Sequence, residues 1–246
     1  MNKQSIISMW SGPRNLSTAL MYSFENRGDV KIEDEPFYGY FLHNNKIMHP
    51  KREMIIKTME CDKNKLINYL TNKKNIKTKQ IWYQKQMTHH INIKDDISWI
   101  DKVTNCFLIR DPLDVIISYQ KIYKKVSMQL TGLEQQKKIF DYVINNIDDK
   151  PLVIDANDLR NKPETILKVA CKKLNIKFTK KMLQWPKGPK KNEGLWGEDW
   201  YQNVWNTNSF IRGKKYKKVA IDKDIKNLYA QANLFYNKLY NYKINP

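Results

Sequence analysis

Two arginines stand where a chain can grip an oxyanion. Arg14 lies in Ser11-Gly12-Pro13-Arg14-Asn15-Leu16-Ser17-Thr18, between a short β-branched run and an apolar stretch of helical character. Free backbone N–H groups at such a strand-to-helix turn, together with the positive end of the helix dipole, form an anion cradle. Arg14, Ser17 and Thr18 would add a guanidinium fork and two hydroxyls. Arg110, in Arg110-Asp111-Pro112, ends another apolar run, and Ser118 follows on the next helical stretch, so that a fork and a hydroxyl can address one anion. Only six of the 44 basic residues are arginine, so an arginine marks a place where lysine does not suffice. The plainer readings are an N-capped helix that happens to carry Arg14, and an Arg110 that pairs with Asp111 or Asp114.

Three carboxylates and one lysine come next. Glu33-Asp34-Glu35-Pro36-Phe37 follows a second β-like run, and a carboxylate there could remove a proton from a hydroxyl. The alternative is an exposed acidic turn. Lys85 closes a third run, in Tyr83-Gln84-Lys85-Gln86-Met87-Thr88-His89-His90. The adjacent histidines lack a third partner at metal-ligand spacing, so no zinc site is expected. The Arg14 loop also lacks the G-x-x-x-x-G-K-[ST] spacing of a Walker loop, and no acidic strand end stands out as a magnesium holder.

These residues need a scaffold that gathers them, and the hydrophobic pattern supplies one. Ser5 to Trp10, Lys31 to Glu33, Gln80 to Lys85, Cys106 to Ile109 and Leu152 to Asp155 read as strands. Leu16 to Phe24 and Leu113 to Tyr119 read as helices, as does a stretch that has Pro163 in its first turn and runs to about Leu174. Strands alternating with helices imply a parallel sheet covered on both faces, with ligands at the carboxyl ends of the strands. Arg14, Glu35, Lys85 and Arg110 would then share one rim. From about 180 to 218, four tryptophans among lysines, prolines and glycines suggest an irregular flap, closed by aromatic packing and followed by a helix from about Asp222 to Tyr240. With no repeat and no linker, one domain over residues 1–246 is expected.

Composition narrows the class. At 246 residues, 41% hydrophobic and 12% aromatic, the chain can bury a core, which excludes disordered and disulfide-stapled modules. No run could span a bilayer, no cleavable leader is visible, and Cys61, Cys106 and Cys171 are too scattered for a disulfide framework, so a cytoplasmic protein is expected. The net charge of +19 would draw polyanions, but its lysines are spread along the chain as a solvated face would be. A groove-binding protein would instead concentrate them in a stripe with base-stacking aromatics, so no specific nucleic acid is expected as a partner.

The motifs resemble those of sulfotransferases that use 3'-phosphoadenosine 5'-phosphosulfate, PAPS. Pro13-Arg14-Asn15-Leu16-Ser17-Thr18 is similar to their 5'-phosphosulfate loop, commonly P-[KR]-S-G-[ST]-[ST], with Asn15 and Leu16 in place of Ser-Gly. Arg110-Asp111-Pro112 with Ser118 resembles the family's grip on the 3'-phosphate, and Val153 to Glu164 is similar to its acidic-Leu pair followed by a helix-opening proline. Together these cover about Ile6 to Leu174. Glu35, with its Glu-x-Phe pattern, resembles the base of a bacterial branch. Lys85 resembles a lysine that serves the leaving phosphate in the cytosolic branch, where Met87 takes the offset of that branch's histidine base, and His89 or His90 could serve only with a different loop. Arg212-Gly213-Lys214-Lys215 faintly resembles a segment that assists 3'-phosphate binding.

The resemblance implies a three-layer α/β fold of P-loop NTPase type with a central parallel sheet. It implies PAPS as co-substrate, transfer without a metal, and a small-molecule acceptor bearing a hydroxyl or amine. Glu35, Lys85, Arg14 and His90 would be catalytic; Pro13, Arg14, Asn15, Ser17, Thr18, Arg110, Ser118 and Arg212 would bind the nucleotide. A kinase-like P-loop enzyme is the alternative, disfavoured by the missing Walker lysine and metal carboxylate; a basic nucleic-acid-binding protein ranks lower.

Overall fold

The computed structural model describes residues 4–45, 47, 49–121, 126–212 and 223–245. Five strands form the sheet: β1 (Ser5–Ser11), β2 (Val30–Asp34), β3 (Ile81–Met87), β4 (Thr104–Ile109) and β5 (Leu152–Asp155). Their order is β2-β3-β1-β4-β5 and every pairing is parallel. β3 is buried along its whole length, which requires cover on both faces and explains its lack of polar alternation at the ends.

Twelve helices connect or follow the strands among the described residues: α1 (Ser17–Glu25), α2 (Tyr38–Asn44), α3 (Arg52–Thr58), α4 (Lys63–Thr71), α5 (Pro112–Gln120), α6 (Met128–Thr131), α7 (Leu133–Asn146), α8 (Ala156–Asn161), α9 (Pro163–Lys173), α10 (Gly197–Trp200), α11 (Gln202–Trp205) and α12 (Lys223–Tyr240). Ile7, Met9, Leu20, Phe24, Ile166 and Leu167 fill one side of the sheet, between it and α1 and α9. Trp10, Phe107, Leu70, Phe140 and Leu239 fill the other, under α4, α7 and α12. The three-layer α/β arrangement expected from the pattern is therefore present. No described helix is long and apolar enough to cross a membrane.

Local chemistry sets the helix starts near the site. Asp111 caps α5 by accepting from the Leu113 N–H at 2.8 Å, and Pro112 opens the helix where its missing N–H costs nothing. Pro163 does the same for α9. The strand bounds differ from the sequence expectation in a way that matters: β2 runs on to Asp34 and β3 to Met87. The parallel register sets Asp34 beside Lys85, so Asp34, expected just past its strand, and Lys85, expected at its strand's end, are strand neighbours on the rim.

The expected flap is irregular, with short turns of helix at α10 and α11, and is held by packing: Trp185 and Trp196 are buried. Trp196 and Tyr201 form a third apolar cluster with Tyr38, Leu42 and Ile55. The end of that flap, including Gly213-Lys214-Lys215, and the expected helix start at Asp222 lie outside the described residues. At the far edge, the Ile244 N–H donates to the Val153 carbonyl at 2.9 Å, so the chain end lies along β5.

Candidate functional site

The order of strands reverses at β1, whose neighbours are β3 and β4, so the carboxyl ends of these strands open a crevice. The loop after β1 turns into α1 through two left-handed residues, Arg14 with φ 64° and Leu16 with φ 71°. Leu16, standing where the resembling loop has glycine, thus adopts the backbone that glycine would supply, at a cost of roughly 1–2 kcal/mol. The turn leaves the α1 N-terminus without a side-chain cap, its first N–H groups available to an anion. Gly12 opens the loop where a Cβ would meet the Thr131 carbonyl oxygen at 2.3 Å.

Arg14 and Arg110 meet over this loop. Arg14 donates from Nε to Ser118 Oγ at 3.0 Å, and an Arg110 terminal nitrogen donates to the Arg14 carbonyl at 2.8 Å. Arg110 also pairs with Asp114, its Nε and its second terminal nitrogen each 3.5 Å from Oδ2, although the buried Nε–H makes no hydrogen bond. Asp111, the other partner weighed for Arg110, caps its helix instead. A buried guanidinium N–H of this kind fits a phosphate oxygen well. Asn15 works from beneath the loop. It is 1% exposed and donates to the Leu108 carbonyl at 3.4 Å, which ties the loop to β4.

The second cluster stands at the ends of β2 and β3. Lys85, 1% exposed, donates to Asp34 Oδ1 at 3.0 Å, to Glu35 Oε1 at 2.6 Å and to the Tyr201 hydroxyl oxygen. The register of β2 against β3 explains the first contact. The second needs Glu35 to leave the strand in a left-handed conformation, φ 50°, while its N–H still bonds the Lys85 carbonyl at 3.0 Å. Burial raises Asp34 to about 6 even though Lys85 works to lower it. For Lys85 burial acts downward, but the attraction of Asp34 and Glu35 outweighs it and the ammonium is held above its ordinary range.

His89 and His90 form a one-turn helix that follows β3 and curls back over the site, which is how residues beyond the expected offset arrive there. His90 stacks against both Tyr38 and Phe41, and its Nε2 lies 3.9 Å from Glu35 Oε2. Burial holds both histidines down, His89 at about 4, so both are neutral near pH 7.

A cavity of about 490 Å³ joins the two clusters. Pro13, Arg14, Ser17, Thr18, Arg110 and Ser118 line one end, and Glu35, Lys85 and His90 the other. Two residues that the motifs point to do not line it: Asn15, which lies underneath, and Arg212, which is exposed. Arg160 takes the rim position instead and donates from Nε to the Ile211 carbonyl at 2.8 Å. Asp34 stands among the three candidate carboxylates in the sequence but not as the partner of Lys85, and Tyr201 does not stand out at all. Asp34 becomes visible if β2 is run one residue further, whereas Tyr201 carries no local signal, since it lies 116 residues from its Lys85 partner.

A family model described as a sulfotransferase domain matches residues 5–242. The chain belongs to the sulfotransferase family. Two solved sulfotransferase domains, from the curacin biosynthetic pathway and from the Synechococcus PCC 7002 olefin synthase, superpose on this chain with a TM-score of 0.56 each. Their identities are 13% and 14%; the alignments cover 95% and 94% of this chain, and 99% and 94% of theirs. At that identity the likeness shows the fold, a central parallel sheet of P-loop NTPase type. Two curated Arabidopsis thaliana proteins, named branched-chain-amino-acid aminotransferase-like proteins 1 and 2, are 32% and 31% identical over 216 and 211 residues of this chain, 88% and 86% of its length. It spans only 38% and 37% of their length, and their name describes the longer proteins.

Proposed function

We propose that this sulfotransferase moves the sulfuryl group of PAPS to a hydroxyl or amine of a small-molecule acceptor. The observation that carries the reading is the single cavity with an anion cradle at one end and the Glu35 carboxylate at the other. Bound in the cradle, PAPS would supply an activated sulfuryl group and a bisphosphate that departs.

The α1 N-terminus, Arg14, Ser17 and Thr18 hold the 5' end of the nucleotide, and Arg110 and Ser118 hold its 3'-phosphate. Asn15 fixes the loop that presents these groups. Glu35 takes the proton from the acceptor as the acceptor atom bonds to sulfur and the sulfur–oxygen bond to the nucleotide breaks. Charge that develops on the departing oxygen is stabilised by Arg14 and the oriented backbone N–H groups. These positioned cations do the work a metal does in phosphoryl transfer, so no metal is required. Lys85 serves the carboxylates, its ammonium being enclosed by Asp34, Glu35 and Tyr201. His90, neutral and stacked, walls the acceptor space beside the base.

Thermal melts test the reading. Adenosine 3',5'-bisphosphate at ~100 times its dissociation constant should add ~2.7 kcal/mol of stability, and magnesium-ATP and duplex DNA should add none. Labelled PAPS should then transfer its sulfur to a component of a metabolite pool in the presence of EDTA. Stabilisation by magnesium-ATP alone would move the kinase-like alternative ahead, and turnover lost to EDTA and restored by magnesium would end the metal-free reading.

A further inference from the structure

One hydroxyl in the site belongs to neither the cradle nor the strand ends. Tyr201 sits between α10 and α11, in the tryptophan-rich segment, and is buried. Its oxygen lies 3.0 Å from Glu35 Oε1 and 2.9 Å from Asp34 Oδ2, and accepts from Trp196 Nε1 at 3.0 Å and from Lys85 Nζ. With its lone pairs engaged by two donors, the phenol directs its one proton at the carboxylates. The same segment supplies another donor, the Gly194 N–H, 3.3 Å from Asp34 Oδ2. Glu35 itself holds a strained left-handed backbone, which persists only where surrounding contacts over-determine it.

We propose that Tyr201 is a positioning residue of the reaction: its hydroxyl ties the Asp34 and Glu35 carboxylates together and keeps Glu35 aimed into the cavity, making acceptor activation depend on the 194–201 segment being in place. The proposal rests on the reading of Glu35 as base. A phenol buried only for packing would need one hydrogen-bond partner. This one reaches both carboxylates and the ammonium between them, and nothing else from the C-terminal segment reaches Glu35 among the described hydrogen bonds. Burial lifts Asp34, and the Tyr201 hydroxyl is one of the groups that restrain the rise, so its loss shifts Asp34 toward protonation beside Glu35. The titratable groups that face Glu35 are Asp34 on β2, Lys85 on β3, His89 and His90 beyond it, His49 and Tyr201.

The test is Tyr201→Phe in the full chain, which keeps the ring and removes the hydroxyl. The expected result is a ten- to hundredfold fall in kcat and an acidic limb of the kcat–pH profile displaced to higher pH, with bisphosphate affinity within twofold of the parent. Bisphosphate-induced stabilisation reports that the variant is folded. Trp196→Phe, which removes the indole donor to the phenol oxygen along with part of a buried ring, should move the same limb in the same direction by less. An unmoved limb and parental kcat in Tyr201→Phe overturn the proposal while leaving Glu35 as base; a fully active Glu35→Gln overturns the base assignment itself.

Discussion

At the β1–β4 end of the cavity, Arg110 bonds a backbone carbonyl, reaches Asp114 only at 3.5 Å and keeps a buried N–H with no acceptor, whereas at the β2–β3 end Lys85 is enclosed by two carboxylates and a phenol. Both ends hold a buried cation, yet only one retains hydrogen-bonding capacity for a ligand anion. An anion brought to the Lys85 end would meet Asp34 and Glu35 first; one brought to Arg110 would complete a guanidinium that the protein has left incomplete. Position in the sheet accounts for this contrast. The strand beside Lys85 ends in carboxylates, while the loop beside Arg110 offers mainly carbonyl and hydroxyl groups.

If the two ends divide the work in this way, their substitutions should separate. Glu35→Gln should lower kcat by ~100- to 10,000-fold, the usual contribution of a positioned base, with bisphosphate affinity nearly unchanged by calorimetry. A comparable loss of affinity would show that the ends act as one unit. Arg110→Ala should weaken bisphosphate binding about a hundredfold, as expected for truncating a desolvated charge that pairs with a phosphate. The same variant should bind adenosine 5'-phosphosulfate, which has no 3'-phosphate, as the parent does; equal losses for both ligands would take the 3'-phosphate away from Arg110.

The smallest effect concerns pH. His89 and His90 have pKa values lowered by burial, so their stabilising effect is full above the unfolded value near 6.5 and is lost as pH falls toward the folded values. For His89, lowered to about 4, this amounts to roughly 3 kcal/mol. Asp34 acts oppositely: raised to about 6, it favours the fold below the unfolded carboxylate value and loses that contribution as pH climbs through 6. Glu25, Glu33, Asp111 and Asp155 are also raised by burial and act as Asp34 does, so the histidine effect is read against a variant: the parent should lose roughly 4–7 °C more Tm between pH 7 and pH 5 than His89→Gln does. Equal losses in the two proteins would show that His89 is not held neutral by burial.

The parts of the site legible in the sequence are those placed by strand ends. Arg14, Arg110, Glu35 and Lys85 each follow or close an apolar run, and a parallel sheet brings the carboxyl ends of its strands together whatever the loops do. The pairing of Asp34 with Lys85 escapes a sequence reading that stops β2 at Glu33, although strand register alone sets it. Arg212 and Arg160 change places because both belong to segments whose path no periodicity reports; Arg160 sits on α8, anchored by Asp155 at its N-cap, while Arg212 follows an irregular stretch. α4 and α7 are clearly amphipathic, but they carry no residue with chemistry of its own, so a reading that starts from such residues passes over them. Leu16 shows a different limit: sequence suggests that the missing glycine matters, but only the backbone shows the leucine accepting the left-handed turn.

The dependence of Glu35 on a partner as late in the chain as Tyr201 has a consequence during synthesis. The ribosome releases β1 and its anion loop first, and domains tend to organise from the N-terminus as they emerge. The nascent chain can therefore assemble its cradle long before residue 201 is made, while Asp34, Glu35 and Lys85 still lack the phenol and the indole that enclose them. Grip precedes chemistry in the life of each molecule, and a chain stalled before residue 194 would bind anions without a guarded base.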